Sequence, residues 1–567
     1  MGFFHVIERR RAVRRSLVLC LLLAVAPGCG SCGKPSSSGT SVEVKATVMH
    51  PVPAPPGLLA QVWVRSPDAL WSRVQNGVSG AAALMPPDVG SLLCAATGLD
   101  GAVGPLVDGK AEAYVVVADA GGGAGLAWAA AVPLRDGAQV ASLLLPGDAG
   151  VARYTARDEQ GMRALTRLEH PMPVAMALAD DGTKTFLVVA RSDADLARLG
   201  PYAYRSMPVL PHPAETASVV AQLTPAALAA YATSSWNDAR TWLADRDAEQ
   251  RAKHGGRAPD FGDPQAIVDA VDVVVKRRLA LLADAKTATV EVEAGDGDVS
   301  ADLRLEPQDA DAAAAMTPGD TRPLADVPAD AVLAVLVRDS VAGRADDARE
   351  LEAAIGKALG SRAHADDDRA IASALDAWSA ARGDWLTTSL AWGPATAVVV
   401  RSPGGEAAAR AFRGLMDLGG RPVFAAPLHA TFGLGAPSVA AAKVDGLTDA
   451  SLATFGSKSA LGVAWGVRDD RLVAVAAEHA DARLASLASS PHLGDDPRVA
   501  HALSALGSDA SFVVLAEPLR IDASRAASDV AHSPALLAWG RRDGKAWLRL
   551  DVGDELLREG VRLQAGL

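Results

Sequence analysis

The residues best suited to chemistry are scattered along the chain. Eleven histidines are spread over 567 residues. His492 and His501 stand nine apart, with Asp495 and Asp496 between them. Two metal ligands on one helix face need an i, i+4 spacing, so loop and helix-start polarity ahead of Pro497 is the expectation there. The run HADDDR, residues 364–369, offers adjacent carboxylates. A calcium loop needs oxygens at alternating positions, a glycine turn and a closing glutamate, so this run reads as the solvated start of a helix. DAGGGAGLAW, residues 119–128, has glycine-rich spacing but lies between two strand-like runs and carries no lysine. A phosphate loop would lead into a helix, so a hairpin turn is expected. No G-x-S-x-G elbow occurs, and Ser457-Lys458-Ser459 does not match a Ser-x-x-Lys nucleophile. Cys94, inside SLLCAATGL, reads as a small buried hydrophobe. The residues therefore assign no catalytic site, no metal site and no cofactor.

Eleven tryptophans against five tyrosines is an unusual ratio. Trp378, Trp385, Trp392, Trp465, Trp539 and Trp547 fall in the second half. They suit either the lining of a groove for an apolar ligand or the filling of cores between sheet and helix. The hydrophobic fraction of 49% supports a packed body. The formal net charge is −12, and removing residues 1–28, with five arginines and one glutamate, takes it to −16. An acidic surface of this kind argues against nucleic acid as a partner, since phosphate binding needs clustered Lys and Arg. It also offers no attraction to anionic lipid.

These residues are positioned by a pattern of strands that occurs twice. GLLAQVWV (57–64) matches DAVLAVLV (330–337), each followed by an arginine. KAEAYVVV (110–117) matches GPATAVVV (393–400). PVAMALADDGTKTFLVVA (173–190) matches ALGVAWGVRDDRLVAVAA (460–477), and both read as hairpins followed by a short helix. ETASVVAQL (215–223) matches SDASFVVLA (508–516), and the hairpin at 286–307 matches that at 534–552. Two helices are inserted in the first half between 224 and 286. The second of these has Asp263 as N-cap and Pro264 at its first position. Ile267, Val271, Val274 and Leu282 lie at helical spacing and predict an apolar packing face. The expected fold is α+β: two related lobes of mainly antiparallel sheet with helices packed on one face. The stretch 469–519, hairpin strand, short helix, linker, helix and strand, resembles exported bacterial proteins built from duplicated α+β lobes. That resemblance implies no known reaction.

The N-terminus speaks to location. Arg9, Arg10, Arg11, Arg14 and Arg15 precede an apolar run of ten residues, Leu17–Ala26. That is the order of an export signal, and a membrane-spanning helix needs about 20 apolar residues. Ala26-Pro27-Gly28-Cys29 resembles the lipobox of bacterial lipoproteins, although Pro27 is unusual at its position. The resemblance implies a diacylated N-terminus at Cys29, with Cys32 as the second possible acceptor. The expected organisation is a signal peptide at 1–28, a Gly/Ser/Pro-rich tether at 29–57, a first lobe at 58–322 and a second at 323–567. The expected function is non-enzymatic binding or scaffolding in the cell envelope, at the outer membrane, facing the periplasm or the cell surface. The membrane is a partner through the lipid anchor, and an envelope protein is a possible second partner. The alternatives are a small apolar ligand in a Trp-lined cleft between lobes, and a hydrolase whose site is assembled from distant residues.

Overall fold

The computed structural model describes residues 50–77, 85–121, 125–145, 154–168, 172–212, 217–253, 264–295, 298–309, 316–392, 396–456, 460–521 and 530–565. The signal, Cys29, Cys32, most of the tether, Asp263 and residues 457–459 lie outside them. In chain order the elements are β1 (Leu58–Val64), α1 (Pro67–Gly77), α2 (Val89–Thr97), β2 (Ala113–Asp119), β3 (Leu126–Pro133), α3 (Gly137–Leu144), β4 (Tyr154–Glu159), β5 (Met162–Arg167), β6 (Ala175–Asp180) and β7 (Thr185–Ala190). Then come α4 (Asp193–Pro201), β8 (Val219–Leu223), α5 (Pro225–Lys253), α6 (Pro264–Ala283), β9 (Ala285–Ala294) and β10 (Asp298–Pro307). The second half runs β11 (Ala331–Arg338), α7 (Val341–Leu359), α8 (Ala365–Ala381), β12 (Trp385–Ala391), β13 (Ala397–Pro403), α9 (Gly405–Leu418), α10 (Pro422–Phe432), β14 (Ser438–Ala441) and β15 (Thr448–Thr454). It ends with β16 (Leu461–Arg468), β17 (Arg471–Glu478), α11 (Ala480–Ser486), α12 (Pro497–Ser504), β18 (Ala510–Ala516), β19 (Ala535–Arg542), β20 (Lys545–Gly553) and α13 (Asp554–Ala565).

The fold is α+β, with antiparallel ladders throughout. In the first half the strands pair in the order β8–β1–β2–β3–β7–β6–β5–β4, extended beyond β8 by β9 and then β10. In the second half the order is β18–β11–β12–β13–β17–β16–β15–β14, extended beyond β18 by β19 and then β20. The two orders are the same, strand for strand. Four of the five sequence matches therefore fall on equivalent strands. The match of 110–117 with 393–400 is displaced by one strand, because β2 stands where β12 stands and β3 where β13 stands. The reason is that β12 reads WLTTSLA. Its Thr387, Thr388 and Ser389 interrupt the apolar run by which its neighbours are recognised.

The chain divides into two compact units, each drawn from separate stretches of the sequence. One holds the described residues up to Tyr231 with Thr287–Leu303 and Gly553–Leu567, and the other holds Ala232–Lys286 and Arg304–Val552. In the first unit, Trp63, Val116, Ala129, Phe186 and Val188 pack against Leu196 and Leu199 of α4. On the opposite face Trp128, Val132, Leu187 and Val189 pack against Leu93 and Cys94 of α2 and Val140 and Leu144 of α3. Helices thus cover both faces at the centre of this sheet, not one. The near-continuous apolar runs of β3, β6 and β7 already fit that arrangement, since a strand covered on one side only alternates. In the second unit, Ala334, Leu336, Trp385, Val513 and Leu515 pack beneath Leu324, Val327 and Val499 and Leu503 of α12. Trp465, Leu472 and Ala474 meet Ala408 and Phe412 of α9 and Trp378 of α8.

Helix α6 departs from its expected apolar face at Val271; the side chains of Ile267 and Val274 lie outside what the structure describes. Val271 is 45% exposed while Asp272 is buried. Asp272 accepts from Trp236 Nε1 at 2.8 Å and pairs with Arg240 at 3.2 Å and Lys276 at 2.8 Å. A carboxylate with that many donors is held more firmly than a valine one position away, and it sets the rotation of the helix.

Candidate functional site

Strand β18 ends at Ala516 and Glu517 follows, its N–H still tied to the Val332 carbonyl at 2.8 Å. A single turn, Pro518–Arg520, then leads away, and the chain returns at His532 to enter β19. The return brings together a buried polar group that carries the best chemistry in the described residues. Glu517 is wholly buried. Its Oε1 lies 2.8 Å from His532 Nδ1, and its Oε2 accepts the Ser533 N–H at 2.8 Å. With Nδ1–H directed at the carboxylate, the imidazole is held in one tautomer and one orientation.

The Arg520 guanidinium completes the group. Its Nη1 donates to the Ala329 carbonyl at 3.0 Å, and lies 2.9 Å from His532 Nδ1 and 3.2 Å from Nε2. An atom nearly equidistant from both ring nitrogens cannot sit in the ring plane without striking the carbon between them. The guanidinium therefore stacks over the imidazole face, which suits its planar, weakly hydrated charge. Burial pushes the Arg520 guanidinium below its ordinary range, and the charges of Glu517, Asp330 and Asp496 oppose that shift. Arg498 donates to the His532 carbonyl at 2.8 Å, and Arg483 pairs with Asp330 at 2.6 Å.

A histidine oriented by a buried carboxylate is two-thirds of a general-base triad. The third part, a hydroxyl or thiol within about 3 Å of the ring, is a place where Arg520 now packs. The same contacts have a mechanical consequence. They tie together the exit of β18, the entry of β19 and the approach to β11 through Ala329. Three neighbouring strands are thus held at one end by one carboxylate, one imidazole and one guanidinium.

The residues singled out in the sequence have other uses. Asp495 accepts the His492 N–H at 2.7 Å, and Asp496 accepts the N–H groups of Arg498 and Val499 at 2.8 and 3.4 Å. Both carboxylates are helix caps. Asp367 caps α8 through the His364 N–H at 3.1 Å and pairs with Arg421 at 2.7 Å, and Asp366 pairs with Arg369. Among the described residues no group of three potential ligands could hold a metal ion. Cys94 is buried, its Sγ donates to the Asp100 carbonyl at 3.4 Å, and burial above all, with the charges of Asp100 and Asp88, pushes its pKa up to about 11. The tryptophans fill cores. Trp378 and Trp465 meet Phe412 edge-on, and Trp539 stacks on Phe512 with ring centroids 3.8 Å apart. Of the six in the second half only Trp392 is exposed. The positions of Glu517, Arg520 and His532 follow no helix or strand period, so no local signal marks them; the pairing of β18 with β19 alone brings them together.

No protein-family profile, curated protein or solved structure matches this chain.

Proposed function

We propose that this is a lipid-anchored envelope protein, joined to the membrane through acyl chains on Cys29, whose folded body binds or scaffolds and does not catalyse. The observation that carries the proposal is the succession of five arginines, Leu17–Ala26 and the Ala-Pro-Gly-Cys stretch ending at Cys29. Among the described residues no helix is long and apolar enough to cross a membrane. One acyl chain holds a protein only marginally, whereas two or three hold it firmly. The acidic body adds no affinity for anionic lipid.

The end of the tether supports a mechanical connection between anchor and body. Ser206 Oγ donates to the Val52 carbonyl and accepts the Val52 N–H, both at 2.8 Å, and Arg198 donates to the Pro56 carbonyl at 2.6 Å. The Pro-rich segment, through Val52 and Pro56, is therefore seated on the first unit. The common strand order of the two halves supports their origin by duplication of one α+β unit.

Mass spectrometry of the mature N-terminus and membrane fractionation test the proposal together. The expected results are an acylated Cys29 as first residue, and release of the body into the soluble fraction when Cys29 and Cys32 are both replaced by serine. A wild-type N-terminus without acyl chains, or a double variant that stays with the membrane, overturns it. The hydrolase reading rests on the Glu517–His532 pair alone. It requires a nucleophile at the ring, and covalent labelling by an acyl-phosphonate probe that is lost in His532→Ala would establish one.

A further inference from the structure

We propose that the second unit contains a binding site for a phosphoryl dianion, built from Arg401, Arg468 and Arg471 with Thr387 at its base.

The register places these residues on one face, at one end, of four adjacent strands. Thr387 of β12 stands opposite Arg401 of β13, and Arg401 stands opposite Val473 of β17. Arg471 is two residues along from Val473 and so shares its face. Arg468 of β16 stands opposite Arg471. Directly opposite residues in a ladder have Cβ atoms about 5 Å apart and diagonal ones about 7–8 Å, and the charges of Arg468 and Arg471 both act on Arg401, so the three guanidinium groups share one region.

Their charge is not matched. Two other arginines of this unit have carboxylate partners: Arg338 pairs with Asp320 at 3.3 Å and Asp384 at 3.4 Å, and Arg382 pairs with Asp339 at 2.5 Å. By contrast, among the described residues Arg401, Arg468 and Arg471 have only the carboxylate of Asp326, which meets Arg471 at 3.2 Å. Arg401 donates to the Asp326 carbonyl instead. Asp469 and Asp470 occupy the exposed tip of the hairpin, and the Asp470 carboxylate lies against Gly405 at the start of α9. Three positive charges and one negative leave a local surplus of two, in a chain whose formal charge is −12.

The hydrogen-bonding capacity is unmatched as well. Thr387 Oγ1, Arg401 Nε and Arg468 Nη2 are sealed from solvent and have no partner among the described residues, and Thr387 is only 1% exposed. A buried donor left unpaired costs free energy, and these three lie where the surplus charge lies. Arg471, seated over the Trp385 ring at 5.7 Å, and Asp326 are partly exposed and form the way in. A phosphoryl group near pH 7 carries close to two negative charges and several acceptor oxygens, and arginine forks match it bidentately. It would supply both the charge and the acceptors that this group lacks.

The test is isothermal titration of the detergent-solubilised full chain at constant ionic strength. The probes are inorganic phosphate, a small phosphomonoester, and glycerol 3-phosphate as the water-soluble part of a phospholipid headgroup, which separate the sources of the group. A dissociation constant on the order of 1 mM or tighter is expected for at least one probe. Arg468→Gln and Arg471→Gln should each weaken it tenfold or more, while Arg322→Gln, an exposed arginine outside the site, leaves it unchanged. Circular dichroism confirms that the variants fold. Binding should strengthen as pH rises and the phosphoryl group becomes a dianion. No binding of any probe, or equal affinity in all three variants, overturns the proposal. Neither outcome bears on lipid attachment at Cys29, and loss of the anchor would not alter the titration.

Discussion

At the residue scale, buried polar groups in this protein are consequential because each has few partners to spare. Glu517 serves His532, Ser533 and, through charge, Arg520. Glu517→Gln keeps the shape but removes the largest of the carboxylate charges acting on the buried Arg520 guanidinium, leaving those of Asp330 and Asp496. The expected cost is about 3 kcal/mol, read as a lower urea midpoint with unchanged slope. Cys94 gives a pH-dependent effect of known sign. Its pKa is raised from 9.0 to about 11, so the folded thiol holds its proton where the unfolded one releases it. Stability from this source is complete below pH 9 and is lost as pH rises through 11, by at most about 3 kcal/mol. In a Cys29→Ser, Cys32→Ser background, Cys94→Ala should flatten that alkaline decline, and the parent should react with a thiol reagent only after unfolding. An equal decline in both proteins would refute the attribution. Cys94 is legible in the sequence from its apolar neighbours; the Glu517–His532 contact is not, because nothing local marks either residue.

At the element scale, turn chemistry sets the hairpins. Three tight turns place both central residues at positive φ: Gln160-Gly161, Asp469-Asp470 and Asp543-Gly544. Such turns match the twist of the strands they join. The dipeptide Asp543-Gly544 is itself a hairpin signal, and β19 and β20 do meet across it, Arg542 opposite Lys545. Gly544 has φ of 78° and nothing within 4 Å of an added Cβ. Gly544→Ala should therefore cost about 1 kcal/mol through backbone strain alone, seen as a small drop in thermal midpoint. A neutral result would show that the turn relaxes freely. Where turn and period signals are weak, the chain hides its elements. Strand β12 is masked by its threonines and serine, and α6 turns its Asp272 inward because Trp236, Arg240 and Lys276 compete better for the interior than Val271 does.

At the scale of the whole molecule, the chain does not divide by a single cut. Helix α13 returns to the first unit, where Leu557 packs on Trp71 and Leu92. Residues Ala232–Lys286, although early in the chain, belong with the second unit. A fragment of residues 50–322 thus lacks one part of its own unit and carries a part of the other. It should aggregate or show loose tertiary structure by near-ultraviolet circular dichroism. A fragment that folds as cooperatively as the intact chain would mean that α13 and the inserted helices contribute little.

Features that are local or repeated are written in the order of residues alone. The α+β class, most of the paired strands, the inserted helices and the burial of Cys94 follow from hydrophobic period, turn residues and self-similarity, all of which act over short spans of chain. Folding in three dimensions settles the rest: which strand neighbours which, the covering of both sheet faces, the threading between units, and the meetings of Glu517 with His532 and of Arg401 with Arg468 and Arg471. Those meetings join residues from different strands and loops, and they arise from ladder register and from competition among polar groups for a limited interior. No property of any one segment contains that information.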